Sequence, residues 1–234
     1  MIFQEAIRNC KATTNPARLV RLHREDNSRV RFVTFSEKAS IRAIIRERCP
    51  IHEPELTLAL ETGMRRGELY SLEWDRVDVE RRQLLLLKTK NGTARVVILT
   101  TAAVAALEEL RERRSLSSPK VCLTRYGEPM VSPRAWFELV MQEAIGNDPA
   151  VKDVTWHIFR HTYISRLVMA GVDLRTVQEL AGHKDIKMTV RYAHLAPAHK
   201  LAAVDRLAEN RKEQETPLSR KETSLVTASR MLAV

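Results

Sequence analysis

The sequence predicts a mainly α-helical body carrying one small antiparallel β-sheet, an α+β class. Three observations predict it. Apolar residues recur at helical spacing along most of the chain, and only the stretch 77–99 changes to short β-type runs. That stretch contains Asn91-Gly92, the pair that favours a tight hairpin turn. Composition agrees: of 234 residues, 44% are hydrophobic and 29% charged, which suits a packed core and is too apolar for a disordered chain.

The elements follow in order. Glu5-Ala6-Ile7-Arg8 reads as a short N-terminal helix, and Asn15-Pro16 with the polar run from Arg21 to Arg31 reads as a linker. Thr34 and Glu37 have capping-box spacing, with Ile41, Ile44 and Ile45 as the apolar stripe behind them. Glu53-Pro54 opens a second helix with Leu56, Ala59 and Leu60 on one face, and Gly63 stops it. Val77–Val79, Gln83–Thr89 and Arg95–Leu99 are the β-type runs, the last two joined through Lys90-Asn91-Gly92. Helix returns at Thr101–Arg114. Ser132-Pro133 reads as N-cap and first helical residue of a helix burying Trp136, Phe137 and Val140. Further helices are expected at about 160–170, closed by Gly171, at 173–181, closed by Gly182, and beyond Ala198. Trp74, Trp136 and Trp156 read as core residues.

Composition also excludes several classes. The longest unbroken apolar run is Ala102 to Leu107, far short of the ~20 residues that span a bilayer. Met1-Ile2-Phe3-Gln4-Glu5 lacks a basic-then-apolar leader, so the expected location is cytoplasmic, with no membrane partner. Cys10, Cys49 and Cys122 are too scattered for a disulfide framework or a zinc site. With 39 Lys+Arg against 29 Asp+Glu, the formal charge is +10, which points to a polyanion as partner.

Chemistry-bearing residues occur in five places. Thr62-Gly63-Met64-Arg65-Arg66-Gly67-Glu68 sets an arginine just past a helix-breaking glycine. Lys90 stands at the hairpin mouth. His157-Ile158-Phe159-Arg160-His161 opens a helix, Leu180-Ala181-Gly182-His183 ends one, and Tyr192 follows nine residues later. Guanidinium forks suit phosphate oxygens, and tyrosine is a candidate nucleophile once its proton is managed. His157 and His161 are four apart and could suggest a zinc pair. The H-E-x-x-H pattern, however, needs Glu where this chain has Ile158.

The segments TGMRRGELYSLEW, KNGTARVVILT, HIFRHTYISRL and LAGHKDIKMTVRYAHL resemble, in order and spacing, the active-site boxes of tyrosine recombinases of the phage-integrase kind, over roughly Arg31 to Leu207. The resemblance implies the catalytic-domain fold of DNA breaking-rejoining enzymes. It further implies that Tyr192 attacks the scissile phosphate to give a 3′-phosphotyrosine. Arg65 and Arg160 would hold the non-bridging oxygens, and Lys90 would protonate the leaving 5′-oxygen. His157 would act in proton transfer at the nucleophile or as a phosphate donor, His183 as a further phosphate donor, and Glu68 would orient the arginines. No metal, nucleotide or other cofactor is implied. The implied partners are double-stranded DNA and further copies of the chain in a synaptic tetramer, with room for accessory DNA-bending proteins.

Two other readings compete. A non-catalytic helix-turn-helix DNA-binding protein could place helix, glycine turn and helix over Val172 to Tyr192, though Lys184–Arg191 is short for a recognition helix. A metal-dependent nuclease would need carboxylate ligands beside the histidines, and none are evident. The expected organisation is 1–32 as the last helix and linker of a core-binding domain, 33–210 as catalytic domain, and 211–234 as a polar tail. Relatives usually carry a full core-binding domain, so the chain resembles a truncated integrase, a decayed remnant or a fragment. With all six catalytic positions occupied, the expectation is retained chemistry with weakened, salt-sensitive DNA affinity. Lys200–Asn210, amphipathic through Leu201, Val204 and Leu207, is expected to pack on a neighbouring protomer or on its own domain.

Overall fold

In the computed structural model, residues 2–20, 30–87, 94–115 and 117–196 are described. The chain divides into two compact units, Met1–Val30 and Arg31–Val234. The first holds helix α1 (Ile2–Arg8), which buries no residue, and a single 3-10 turn at Pro16–Leu19. Asn15 caps that turn by accepting a hydrogen bond from the Ala17 N–H.

The second unit opens with α2 (Phe35–Arg48), and its capping box is formed as the sequence requires. Thr34 N–H donates to Glu37 Oε2 at 2.7 Å, and Glu37 N–H donates to Thr34 Oγ1 at 3.3 Å. Its buried stripe is Ile41, Ile44 and Ile45. Helix α3 (Glu53–Thr62), with Pro54 in its first turn, buries Leu56, Leu58, Ala59 and Leu60 and ends at Gly63 in the left-handed region, φ +60°. A Cβ at Gly63 would lie 2.3 Å from Tyr163 Cδ1, so both space and backbone call for glycine there. A five-residue helix, α4 (Arg66–Tyr70), follows directly.

The sheet is three antiparallel strands in the order β1 (Val77–Asp78), β2 (Gln83–Leu86) and β3 (Arg95–Ile98). Leu84 pairs with Val97 and Leu86 with Arg95. Leu84, Leu86 and Val97 are buried, whereas Leu85, Val96 and Ile98 face outward. The period-two alternation that buries Val97 therefore also turns Arg95 inward. Next come α5 (Thr101–Glu112), capped by Thr100, and α6 (Arg134–Asn147). Here the expected start shifts by one residue. Pro133 holds the cap position, and Ser132 Oγ accepts from Arg134 N–H.

Helix α7 runs Trp156–Met169, so the His157–His161 box lies in its first turns, and Trp156 already packs in the core at the helix start. Trp136, Trp156, Phe137 and Phe159 meet edge to face at centroid distances of 5.5–5.9 Å, and Trp74 is buried as well. Asp173 caps α8 (Leu174–Ala181), which ends at Gly182 with φ +64°. Helix α9 (Lys187–Val190) is one turn, too short to serve as a recognition helix. Lys90 with its Asn-Gly turn, the segment beyond Ala198, most of the Arg21–Arg31 linker and the tail lie outside the described residues. Among the described residues no helix is long and apolar enough to cross a membrane.

Candidate active site

Two glycine-terminated helices converge on one arginine. Where α3 stops at Gly63 and α8 stops at Gly182, backbone carbonyls are left over, since the last turn of a helix has no intrahelical donors for them. Arg160 supplies donors to both ends: Nη1 donates to the Gly63 carbonyl at 2.6 Å and Nη2 donates to the Ala181 carbonyl. The chain just past each glycine carries the next site residues, Arg65 after one and His183 after the other.

Arg65 is the N-cap of α4, and Glu68 in that helix's first turn reaches back to it. Glu68 Oε2 accepts from the Arg65 N–H and Oε1 accepts from Arg65 Nη1, both at 2.8 Å. From the inner face of β3, Arg95 adds a two-pronged contact: Nη1 to Oε1 and Nη2 to Oε2, both at 2.9 Å. Burial pushes the Glu68 carboxyl up, but the bonds from Arg95 and Arg65 outweigh burial and hold it below its ordinary range. Arg95 also passes directly beneath Gly182, where a Cβ would lie 2.6 Å from its Cδ. The second glycine is thus required by the arginine as well as by the turn.

Helix α7 presents its polar stripe to this cluster. His157, Arg160 and His161 stand at i, i+3 and i+4 and share one face, while Trp156 and Phe159 point into the core. Burial, with Arg65 and Arg95 nearby, pulls Arg160 down to about 10, so it remains charged at neutral pH. The His157 and His161 rings meet edge to face at 4.7 Å. Burial, then the charges of Arg160 and Arg65, lowers His157. Burial also brings His161 and His183 each to about 4, with surrounding cations and the other histidines adding to the shift. Both imidazoles are therefore neutral near pH 7.

His183 is buried, its Nδ1 2.9 Å from Thr189 Oγ1 and its carbonyl accepting from Gln178 Nε2 at 3.1 Å. With Nδ1 committed to Thr189, Nε2 is the ring nitrogen left for a ligand. Tyr192 follows α9 and is only 3% exposed. Its hydroxyl is hydrogen-bonded to Nδ1 of His161. Burial raises the Tyr192 phenol, partly offset by Arg160 and Arg191. Beside the cluster runs an open groove of about 870 Å³ lined by Arg65, Arg175, Gln178 and Lys184 among others.

Arg65, Glu68, His157, Arg160, His183 and Tyr192, singled out from sequence, thus gather at one place, and Lys90 lies outside the described residues. Two participants were missed, Arg95 and His161. The signal for Arg95 is its inward register, two residues before buried Val97. The signal for His161 is its i+4 spacing from His157, which had been weighed only as a metal pair. Among the described residues no group of three or more His, Cys, Asp or Glu side chains is placed to hold a metal ion.

Residues 25–199 match the model of the phage integrase family. The chain belongs to that family. Among its relatives are a tyrosine recombinase XerC of Roseiflexus castenholzii, 33% identical over 147 residues, covering 60% of this chain and 46% of the relative. A shufflon-specific DNA recombinase of Escherichia coli is 31% identical over 183 residues, covering 78% and 44%. The chain spans about half the length of the curated relatives it matches. Of solved structures, the Tn1549 transposon integrase in complex with transposon right end DNA superposes with a TM-score of 0.68 at 22% identity, covering 88% of this chain and 75% of that one. That likeness extends the family assignment to the fold: a tyrosine-recombinase catalytic domain, mostly helical with a small three-stranded antiparallel sheet.

Proposed function

We propose that this chain carries the strand-transfer centre of a site-specific tyrosine recombinase. It would cut and rejoin double-stranded DNA through a 3′-phosphotyrosine, without metal or nucleotide. The observation that carries the reading is the charge balance of the cluster. Among the described residues of the cluster, three guanidiniums, those of Arg65, Arg95 and Arg160, surround one carboxylate, that of Glu68. Two positive charges are in surplus, matching the two negative charges of a pentavalent phosphorane at the scissile phosphate. Fixed charge aimed at charge that develops in the transition state is usually the largest catalytic contribution.

In the cleavage step the Tyr192 oxygen bonds to phosphorus and the bond from phosphorus to the 5′-oxygen breaks. Arg65 and Arg160 hold the non-bridging oxygens. Arg95 acts through Glu68 as a positioning residue, fixing the Arg65 fork. His183, through Nε2–H, and His157 donate to the phosphate. The contact between His161 and the Tyr192 hydroxyl supports giving His157 the phosphate rather than the nucleophile. Lys90 protonates the leaving 5′-oxygen. Rejoining runs the same steps backward with another DNA end, so the covalent bond conserves the phosphodiester's energy. The groove beside Arg65, with Arg175 and Lys184 on its walls, suits the approach of a DNA backbone. On DNA the active assembly is a synaptic tetramer, open to accessory DNA-bending proteins.

The test is covalent trapping and relaxation on supercoiled plasmid in EDTA. Wild type should give a detergent-stable protein–DNA adduct. Tyr192→Phe should lose the adduct, with relaxation down by about 10³-fold or more. Equal relaxation by the two proteins would sink the reading.

A further inference from the structure

We propose that His161 is the catalytic base for Tyr192: its Nδ1 takes the phenolic proton as the tyrosine attacks DNA and returns it as the strand is rejoined. The inference rests on the strand-transfer reading above and assigns a role that the sequence boxes left empty.

A buried phenol needs a partner for its hydroxyl, and Tyr192 is 3% exposed. Its hydrogen-bond partner is Nδ1 of His161, reaching from α7 across 31 residues of chain. The rings lie 5.9 Å apart between centroids and are tilted by 38°, so the hydroxyl meets the imidazole edge rather than its face. His157, the other histidine of the stripe, touches the flank of His161.

Protonation state follows from the surroundings. His161 is faced by His157 and Arg160 from α7, by His183 from the end of α8, and by Arg191 and Tyr192 from beyond α9. Burial first, then His157, Arg191 and Arg160, holds the imidazole at about 4. At pH 7 it is thus neutral, the form in which Nδ1 accepts a proton. Arg160, one of the groups that lower it, is also placed to hold the scissile phosphate in the reading above. The phosphate's negative charge would therefore counter that arginine and make Nδ1 more basic once DNA is bound.

The step balances. The Tyr192 O–H bond breaks and its proton moves to Nδ1, giving an imidazolium. The Tyr192 oxygen bonds to phosphorus, and the departing 5′-oxygen receives a separate proton from the Lys90 ammonium. On rejoining, the 5′-hydroxyl returns a proton to Lys90 and the tyrosine leaves with the proton held on His161.

The experiment compares wild type, His161→Gln, His161→Ala and Tyr192→Phe, reading adduct formation on supercoiled plasmid between pH 5 and 9. Wild-type rate should be flat from neutral pH upward and fall on the acid side as the imidazole protonates. Both His161 variants should be slower by about 10²-fold or more at pH 7. They should climb with pH toward the phenol's own ionisation, and added imidazole should restore part of the rate in His161→Ala. A second readout needs no turnover: in nitrogen-15 NMR of the free protein, Tyr192→Phe should shift the Nδ1 resonance of His161 and leave that of His183 in place. If the His161 variants are slower by the same factor at every pH and imidazole gives no rescue, the residue only supports the fold and the inference falls. If they match wild type while Tyr192→Phe is inactive, the inference falls and the strand-transfer reading stands. A Tyr192→Phe protein that still forms the adduct overturns both.

Discussion

Glu55 and Glu68 are both buried glutamates on neighbouring helices, and each is held by two side chains, yet they build opposite kinds of place. Glu55 accepts from the Tyr70 hydroxyl at 2.5 Å and meets His52 Nδ1 at 2.9 Å, while the His52 ring stacks on Trp136 at 4.7 Å. Burial and the nearby Glu55 keep the Tyr70 phenol far above its usual range, so it stays a neutral donor. That cluster is closed: among the described residues no guanidinium is bonded to it. Glu68, by contrast, sits among guanidiniums it does not balance. A surplus of fixed positive charge in a half-buried place is unfavourable until an anion arrives. The site is therefore marked by the uncompensated charge around its glutamate, whereas burial of the glutamate itself is common to core and site.

Neutralising each glutamate should separate the two places most strongly. Glu68→Gln should destabilise the protein by about 3 kcal/mol, because three guanidiniums lose their counter-charge. Inorganic phosphate or sulfate should recover part of that loss in thermal denaturation, and the same anions should do little for Glu55→Gln. The pH dependence has a definite sign. The Glu68 carboxyl is held below its ordinary 4.5, so its contribution is present above that value and fades as pH falls through the lower folded one. Wild type should lose this increment on acidification, whereas Glu68→Gln has already lost it at pH 7 and should show a flatter acid limb. Equal anion rescue of both variants would mean that the two glutamates sit in the same kind of place.

Gly63→Ala comes next. The added methyl group would collide with the Tyr163 ring and occupy a left-handed backbone, costing about 2 kcal/mol. Because the Gly63 carbonyl holds Arg160 and the following turn holds Arg65, adduct formation per folded molecule should also fall, by about 10-fold. Tyr70→Phe should have the smallest effect. It should cost about 1.5 kcal/mol by removing a donor from buried Glu55, with adduct formation per folded molecule unchanged. A drop in activity there would mean that the closed cluster is coupled to the open one.

What could be read ahead of the structure was what is local. Thr34 and Glu37 are three residues apart and form their capping box from within one turn. Gly63 and Gly182 end their helices as short-range backbone preference dictates. Arg65, Glu68, His157, Arg160, His183 and Tyr192, which the structure brings together, could be picked out in advance because each box keeps its own spacing. Arg95 and His161 could not, since their partners stand 27 and 31 residues away and only tertiary packing joins them. Helix α9 falls inside the second helix of the pattern over Val172 to Tyr192, and α4 joins Glu68 to its cap Arg65; at four and five residues neither has a periodicity of its own, and the glycine turns before them mark their place.

Arg160 also has a donor count. A guanidinium offers five N–H groups in a rigid plane. One serves the Gly63 carbonyl and one the Ala181 carbonyl, so under the strand-transfer proposal the rest of the fork would meet the phosphate without releasing either helix end. Lysine, a point charge on a flexible stem, would then have to give up part of the scaffold to hold the ligand. One planar, many-toothed cation would thus fill two posts at once, bracket for two helix ends and hand for a phosphate.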